Sequence, residues 1–480
     1  MSADMVWLLY TLLAALQVAA LLSAIHALFT VRTPQGTIAW VVGLVAFPLL
    51  AVPLYWFFGS RRFDTHAQVM ARKFEESRDR ITAIREATAP YRANPADLLP
   101  PEAATLTAIA GWDFLRGNKL GLLIDGEATF DAILAEIAAA RRSVLVQFYI
   151  VRPDGLGQRL LEALAAKAAE GVEVCFLYDQ LGSAGLKRRV ARAWTARGVR
   201  MVPFCAFSGW RDRWRLNFRN HRKNVVIDGR VGFIGGHNVG DEYLGLSPKF
   251  GRWRDTHLRV EGPTALQLQM SFAADWYFAT GEIINAPWQP TIPPDNHADQ
   301  RALVLDSGPS DQDEKCTLFF LHVISMARRR LWIASPYFVP DEGILLALEL
   351  AALRGVEVRI LLPAKADHLL VWLASFALLK ELDHPGIHIH RFNGGFLHQK
   401  ALVVDDDFAA VGTANFDNRS FRLNFEITLA VADARFAAET AAMFERDFAE
   451  SDEVNARAYD ELPWRMKIGG KAARLLAPIL

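Results

Sequence analysis

His221-Arg-Lys223-Asn-Val-Val-Ile-Asp228 is written a second time as His398-Gln-Lys400-Ala-Leu-Val-Val-Asp405, and this repetition decides the fold. After six further residues each copy reaches a small-residue turn ending in asparagine. The turns are Gly235-Gly236-His237-Asn238 and Gly412-Thr413-Ala414-Asn415, and both landmarks recur 177 residues apart. The resemblance extends upstream. Arg141-Arg142-Ser-Val-Leu-Val-Gln-Phe-Tyr149 answers to Arg328-Arg329-Arg330-Leu-Trp-Ile-Ala-Ser-Pro336, and Gly171-Val-Glu-Val174 answers to Gly355-Val-Glu-Val358. Each half therefore reads as strand, helix, strand on a mixed sheet flanked by helices, and two such halves predict an α/β protein of two lobes related by a pseudo-twofold.

A chain of 480 residues has room for two cores and an appendage. Its 53 basic residues balance 53 acidic ones, so no global field marks a nucleic-acid binder, and anion recognition must come from local clusters. The three cysteines, Cys175, Cys205 and Cys316, have neither metal-ligand spacing nor the density of a disulfide framework. No metal site is expected there.

Residues 5–31 carry no charge, and a second uncharged run covers residues 33–60. Each is long enough for a bilayer, which needs about 20 apolar residues. The short link around Arg32 predicts a transmembrane hairpin, with Pro48 and Pro53 kinking its second span. Arg61, Arg62, Arg72, Lys73, Arg78, Arg80 and Arg85 follow that span, which places the large C-terminal body in the cytoplasm by the positive-inside tendency. The division expected is a hairpin over 1–60, a helical or loop connector over 61–110, and lobes over 111–295 and 296–480.

Within the first copy, Asp228-Gly229 between two β-prone runs predicts a two-residue hairpin. If Ile227 opposes Arg230, His221 faces Gly236 and the asparagine turn lies beside the histidine. His221 and Lys223 are two apart, so they share a strand face. A neutral imidazole can attack phosphorus, while Lys and Asn donors stabilise charge on the non-bridging oxygens. A second, protonated histidine can donate to the departing alkoxide and later take a proton from the incoming alcohol. A single His-x-Lys is most often an ordinary basic surface strand. Two copies that keep His, Lys, Asp and Asn while adjacent positions differ favour chemistry.

These residues resemble the signature of the phospholipase D superfamily, His-x-Lys-x4-Asp followed by Gly-Ser-x-Asn. More narrowly, Leu216 to Lys223, Ile234 to Tyr243, Trp253 to Thr256 and Asn415 to Glu426, with the two-run N-terminus, look like the bacterial cardiolipin synthases of that superfamily. Two departures stand out: Gly236 and Thr413 occupy positions where the superfamily commonly has Ser. The resemblance implies an enzyme of the bacterial inner (cytoplasmic) membrane, multi-pass, with phosphatidylglycerol and other anionic phospholipids as partners and no nucleic acid. It implies a reversible transfer from one phosphatidylglycerol to another through a phosphatidyl-histidine, giving cardiolipin and glycerol without a cofactor or metal. A phospholipase D-type hydrolase is the alternative, and a non-catalytic lipid-binding scaffold a third.

By the same resemblance His221 is the nucleophile and His398 the acid/base, with the reverse order as the alternative. Lys223, Lys400, Asn238 and Asn415 would hold the phosphate, supported by Gly235, Gly412 and Thr413. Asp228 and Asp405 complete the catalytic pattern and are expected to support hairpin and lobe structure rather than touch substrate, with simple turn chemistry as the alternative. Asp255 and Glu426 would each orient the histidine of the other lobe. An Arg- and Trp-rich stretch from Lys187 to Arg219 and the basic C-terminus after Trp464 suit an anionic membrane surface. The segment after Trp464 is expected as a short basic amphipathic helix along the bilayer, weakened by Gly469-Gly470.

Overall fold

The computed structural model describes residues 3–31, 34–59, 78–204, 217–294, 299–311, 313–365, 369–455, 460–461 and 463–475. They form two compact units: one holds the apolar N-terminal helices and the other holds both copies of the repeat. The expectations for Arg61, Arg62, Arg72 and Lys73, and for Cys205 and the Trp210 to Leu216 stretch, fall outside the described residues.

In the first unit α1 (Ala3–Thr30) is 28 residues long. At 1.5 Å per residue it extends about 42 Å, beyond the roughly 30 Å of a bilayer core. The second apolar run is not one kinked span but two helices, α2 (Pro34–Ala46) and α3 (Pro48–Phe58). Phe47, at φ −134° and ψ 58°, leaves the helical region so that Pro48 can open α3 where its missing N–H costs nothing. Pro53 is accommodated inside α3. At about 20 and 17 Å these helices are each too short to cross alone, and among the described residues α1 alone is long and apolar enough. Small side chains bring the helices together: Ala24, Ala27, Leu44, Ala51 and Tyr55 bury one another. His26 Nδ1 lies 2.7 Å from the Tyr55 hydroxyl, and Trp56 Nε1 donates to Ser23 Oγ at 2.9 Å.

The second unit is built on a sheet of 15 strands among the described residues. The first half contributes β1 (Leu115–Ile124), β2 (Ser143–Phe148), β3 (Glu173–Asp179), β4 (Arg200–Phe204), β5 (Asn224–Ile227), β6 (Val231–Gly235) and β7 (Thr256–Glu261). The second contributes β8 (Gln300–Ser307), β9 (Arg330–Ala334), β10 (Glu357–Pro363), β11 (Ile387–Phe392), β12 (Ala401–Val404), β13 (Phe408–Gly412), β14 (Glu426–Ala432) and β15 (Ser451–Val454). Outward from the centre one wing runs β1-β7-β6-β5-β2-β3-β4, and the other runs β8-β14-β13-β12-β9-β10-β11 with β15 at its edge. Seven strands thus have counterparts in the other half, and β15 is an addition at the edge of the second wing. The wings meet where β1 pairs antiparallel with β8, as a twofold through that junction requires.

Parallel β2-β3 and β9-β10 pairs, each crossed by a helix, are the βαβ units the repeat predicts. Their helices, Gly155–Ala169 and Glu342–Leu353, bury Leu160, Leu161 and Leu164 in one core and Ile344 and Leu348 in the other. Part of the expected connector belongs to that second core: Leu98, Ala103 and Leu106 pack with Phe319, Val323 and Leu331. The C-terminal helix Trp464–Leu475 runs through Gly469-Gly470. Packing supplies what propensity lacks, because Ala473 buries against Val339 and Ala374.

The hairpin register differs by one residue from the sequence expectation. Asp228 and Gly229 both take positive φ, 54° and 64°, and Arg230 N–H bonds the Ile227 carbonyl at 3.0 Å. The ladder nevertheless pairs Ile227 with Val231, leaving Arg230 as an extra residue. Its side chain reaches Glu136 at 2.7 Å and Glu261 at 3.2 Å. The second hairpin repeats the offset, with Val404 opposite Phe408. His221 consequently precedes the β5-β6 ladder rather than lying in it.

Candidate active site

Having left that ladder, the two histidine segments cross between halves. His221 N–H bonds the Phe425 carbonyl at 2.9 Å, and Phe425 N–H bonds the Arg219 carbonyl at 2.9 Å. In the matching place His398 N–H bonds the Arg254 carbonyl at 2.8 Å. The residue after each of these partners is a carboxylate, so the backbone pairing delivers it to the imidazole. His221 Nδ1 lies 2.9 Å from Glu426 Oε2, and His398 Nδ1 lies 2.7 Å from Asp255 Oδ2. Register makes the two acids equivalent: Gly235 pairs with His257, two residues after Asp255, and Gly412 pairs with Thr428, two after Glu426. Each half's histidine is thus held by the other half's acid.

The supporting groups are not symmetric. Thr413 Oγ1 donates to Glu426 Oε2 at 2.6 Å. A Cβ on Gly236, the corresponding position, would stand 2.0 Å from Asp255 Oδ1, so the glycine makes room for the carboxylate. Gly235 and Gly412 are close-approach positions of the same kind, each meeting a neighbouring carbonyl within 2.5 Å. Asn238 Oδ1 accepts from Ile150 N–H at 3.0 Å and its amide donates to the Tyr243 hydroxyl, so this asparagine braces the turn. Asn415 Oδ1 is buried without a hydrogen-bond partner among the described residues.

Lys223 is fully buried, its Nζ donating to the His221 carbonyl at 2.6 Å, and Lys400 Nζ donates to the His398 carbonyl. Burial pushes the Lys223 ammonium well below its ordinary pKa, with Lys400 adding to the shift. Burial also lowers His221, to about 4, against the opposing pull of Glu426, so its imidazole is neutral at pH 7. With Nδ1–H directed at Glu426, the lone pair lies on Nε2. Burial alone would raise the Glu426 carboxyl, but His221, Lys223 and Thr413 hold it below the usual range.

Asp228 and Asp405, expected in the catalytic pattern, stand apart from the histidines at the far end of β5 and β12. Asp228 accepts N–H groups of Arg141, Arg142 and Ser143 at 2.8–2.9 Å. Asp405 accepts those of Arg328, Arg329 and Arg330 at 2.8–3.0 Å. They fasten the entry of β2 and β9, because a carboxylate in a left-handed turn can collect consecutive backbone donors.

Several residues at the site carried no signal in the motif. Arg222 donates to Asp275 at 2.8 Å, to the Glu426 carbonyl and to the Ser307 carbonyl, bolting the two halves together behind His221. Arg254 forms a two-pronged pair with Asp447, both contacts 2.7 Å. The Tyr149 ring packs edge-on against His221 with centroids 5.0 Å apart. The Trp253-Arg-Asp-Thr256 stretch marked Arg254 as notable, but its partner lies 193 residues away.

His237 and His257 form a second buried pair, Nδ1 to Nδ1 at 3.2 Å, and burial drives each to about 3. With His221 this makes three histidines whose folded pKa lies below the unfolded value of about 6.5. Their stabilisation is complete above pH 6.5 and is lost as pH falls toward 4 and 3. Between pH 7 and pH 5 these three protons alone would give a limiting slope of about 4 kcal/mol per pH unit. Asp311 and Asp417, which burial raises to about 6, bind protons in the folded state over the same range and offset part of it. A moderate fall in melting temperature in detergent is therefore expected. An unchanged melting temperature over that range would contradict neutral burial.

Comparison with known proteins agrees with this arrangement. The family model "Cardiolipin synthase, PLD-like domain" matches residues 133–276 and 320–448, and a phospholipase D-nuclease N-terminal model matches residues 16–60. The chain is 44% identical over 475 residues to Cardiolipin synthase A of Pseudomonas putida, covering 98% of this chain and 97% of that one. It is 45% identical over 483 residues to Cardiolipin synthase A of Pseudomonas aeruginosa, covering 98% and 96%. Among solved structures, phosphatidylserine synthase of Haemophilus influenzae superposes with a TM-score of 0.56 at 14% identity, covering 75% of this chain and 95% of that one, which speaks to the fold. Duplicated motif, matching wings and full-length similarity lead to one conclusion: this chain belongs to the cardiolipin synthase family of phospholipase D-like proteins.

Proposed function

We propose that the chain is a membrane-associated cardiolipin synthase, transferring the phosphatidyl group of one phosphatidylglycerol to a terminal hydroxyl of another and releasing glycerol. The carrying observation is the pair of cross-braced histidines, each fixed at Nδ1 by an acid of the opposite half. His221 Nε2 attacks phosphorus, and His398, protonated, gives its proton to the leaving glycerol oxygen. The second lipid's hydroxyl then returns a proton to His398 as its oxygen displaces His221, and both histidines end as they began. One phosphodiester replaces another, so the exchange is close to balanced. Lys223, Lys400 and Asn415 are the donors proposed for the non-bridging oxygens.

Purified full-length protein in mixed micelles with phosphatidylglycerol and a chelator is the direct test. Equal amounts of cardiolipin and glycerol are expected. Phosphatidic acid alone would make the protein a hydrolase, and no product with correctly folded protein would favour a lipid-binding scaffold.

For the anchor, our reading is a multi-pass hairpin in a bacterial inner membrane, with α2 and α3 together recrossing as a broken helix packed on α1. The catalytic body, with lobes over 111–295 and 296–480, is cytoplasmic in this reading. A broken helix is tolerated where neighbours satisfy its backbone. Single cysteines placed at residue 2 and residue 65 should both be labelled only from the cytoplasmic side; labelling of residue 2 from the opposite side would leave α1 as the sole span.

A further inference from the structure

Arg219, His221 and Lys223 alternate with Asn220, Arg222 and Asn224, and hydrogen bonds fix which face each set occupies. Asn220 and Arg222 reach Asp275 at 2.8 Å, and Asn224 reaches the Leu268 carbonyl at 2.8 Å, all on helix Ala265–Thr280. Arg219 therefore shares the opposite face with the nucleophile, two residues and about 7 Å ahead of it. Its guanidinium stands 3.6 Å from Asp179, which already accepts N–H groups of Leu181, Gly182 and Asn220.

Arg419 approaches from the other half: its carbonyl accepts Asn424 N–H at 2.8 Å, and the next residue, Phe425, donates its N–H to the Arg219 carbonyl at 2.9 Å. The Arg419 charge acts on Tyr149, the ring packed against His221, as does that of Arg219. Burial depresses the Arg419 guanidinium below its ordinary pKa and the neighbouring Arg219 adds to that, against the pull of Asp417 and Glu426. Two guanidiniums brought within each other's field beside a buried reaction centre suit an anion.

The reaction requires such a place. The two histidines and two lysines account for one phosphorus, whereas the acceptor lipid brings another that does not react. In the product the two phosphorus atoms are joined through glycerol by six bonds, about 7 Å when extended. A single donor lipid has no second phosphate, since its glycerol headgroup and acyl esters are uncharged.

We propose that Arg219 and Arg419, one from each half, form a second phosphodiester subsite that holds the non-reacting phosphate of the acceptor phosphatidylglycerol. The subsite rests on the cardiolipin synthase reading and selects an anionic lipid acceptor over water or a simple alcohol.

Ethanol tests this, because as an acceptor it lacks a phosphate. Full-length enzyme in phosphatidylglycerol micelles with ethanol makes cardiolipin and phosphatidylethanol from one donor intermediate, and the ratio reads acceptor choice. Arg419→Gln is expected to lower that ratio about tenfold or more, chiefly through KM for phosphatidylglycerol as acceptor. Arg419→Lys keeps the charge and loses the fork, so it should lower the ratio by about threefold. A ratio within twofold of wild type in Arg419→Gln overturns the subsite, as does equal loss of both products in folded protein. If Arg419→Gln does not fold, Arg419→Lys decides: an unchanged ratio overturns the proposal. Wild-type protein that forms phosphatidylethanol or phosphatidic acid and never cardiolipin would instead refute the underlying function.

Discussion

Cardiolipin formation is expected to fall by roughly 10^4-fold or more in either His221→Ala or His398→Ala, because nucleophile and acid/base act as a unit. The two variants should nevertheless differ. With phosphatidylglycerol labelled at phosphorus, His398→Ala should accumulate acid-labile label on the protein, since the slowed first step leads to an intermediate that also lacks a base to release it. His221→Ala should acquire none. Label in His221→Ala and none in His398→Ala would reverse the assigned order, and label in neither, with activity retained, would remove the covalent mechanism. The stated order requires a neutral nucleophile, which burial of His221, lowering it to about 4, supplies.

Gly236→Ser should be nearly as damaging, although serine is what the superfamily commonly has at that position. Its Cβ would stand 2.0 Å from Asp255 Oδ1, and the carboxylate is fully buried with its other oxygen on His398. The acid must move, and His398 loses the group that orients it. Loss of a positioned acid/base costs about 10^2- to 10^4-fold, so at least a hundredfold fall in turnover is expected. Thr413→Ala, at the equivalent position, opens space and removes two hydrogen bonds, the one donated to Glu426 and the one accepted from Ile427 N–H, for a loss of about tenfold or more. Similar rates for Gly236→Ser and wild type would mean that Asp255 does not position His398. Melting temperatures of both variants separate this from unfolding.

Arg254 is buried with Asp447 at two 2.7 Å contacts that join the halves. A charge left alone there costs about 3–5 kcal/mol, which is why the motif's neighbours matter to folding as well as to chemistry.

The sequence alone determined the elements whose information is local or repeated. Alternating β-prone runs, small-residue turns and the 177-residue repeat specified two equivalent halves, the His-x-Lys faces and the apolar N-terminus. It also pointed, through family resemblance, to Asp255 and Glu426. Everything that depends on two distant segments meeting was left to long-range packing. The hairpin register differs by one residue from the two-residue turn expected, in both halves alike, with Ile227 opposite Val231 and Val404 opposite Phe408. The glycine helix near the C-terminus formed because Ala473 had a surface to bury against. Asp228 and Asp405 became braces because the strand entries at Arg141 and Arg328 lay within reach. Glu426 came to face His221 for the same reason: alternation along an extended segment fixes a side chain's face, but the partner across that face is set by how the two halves pack.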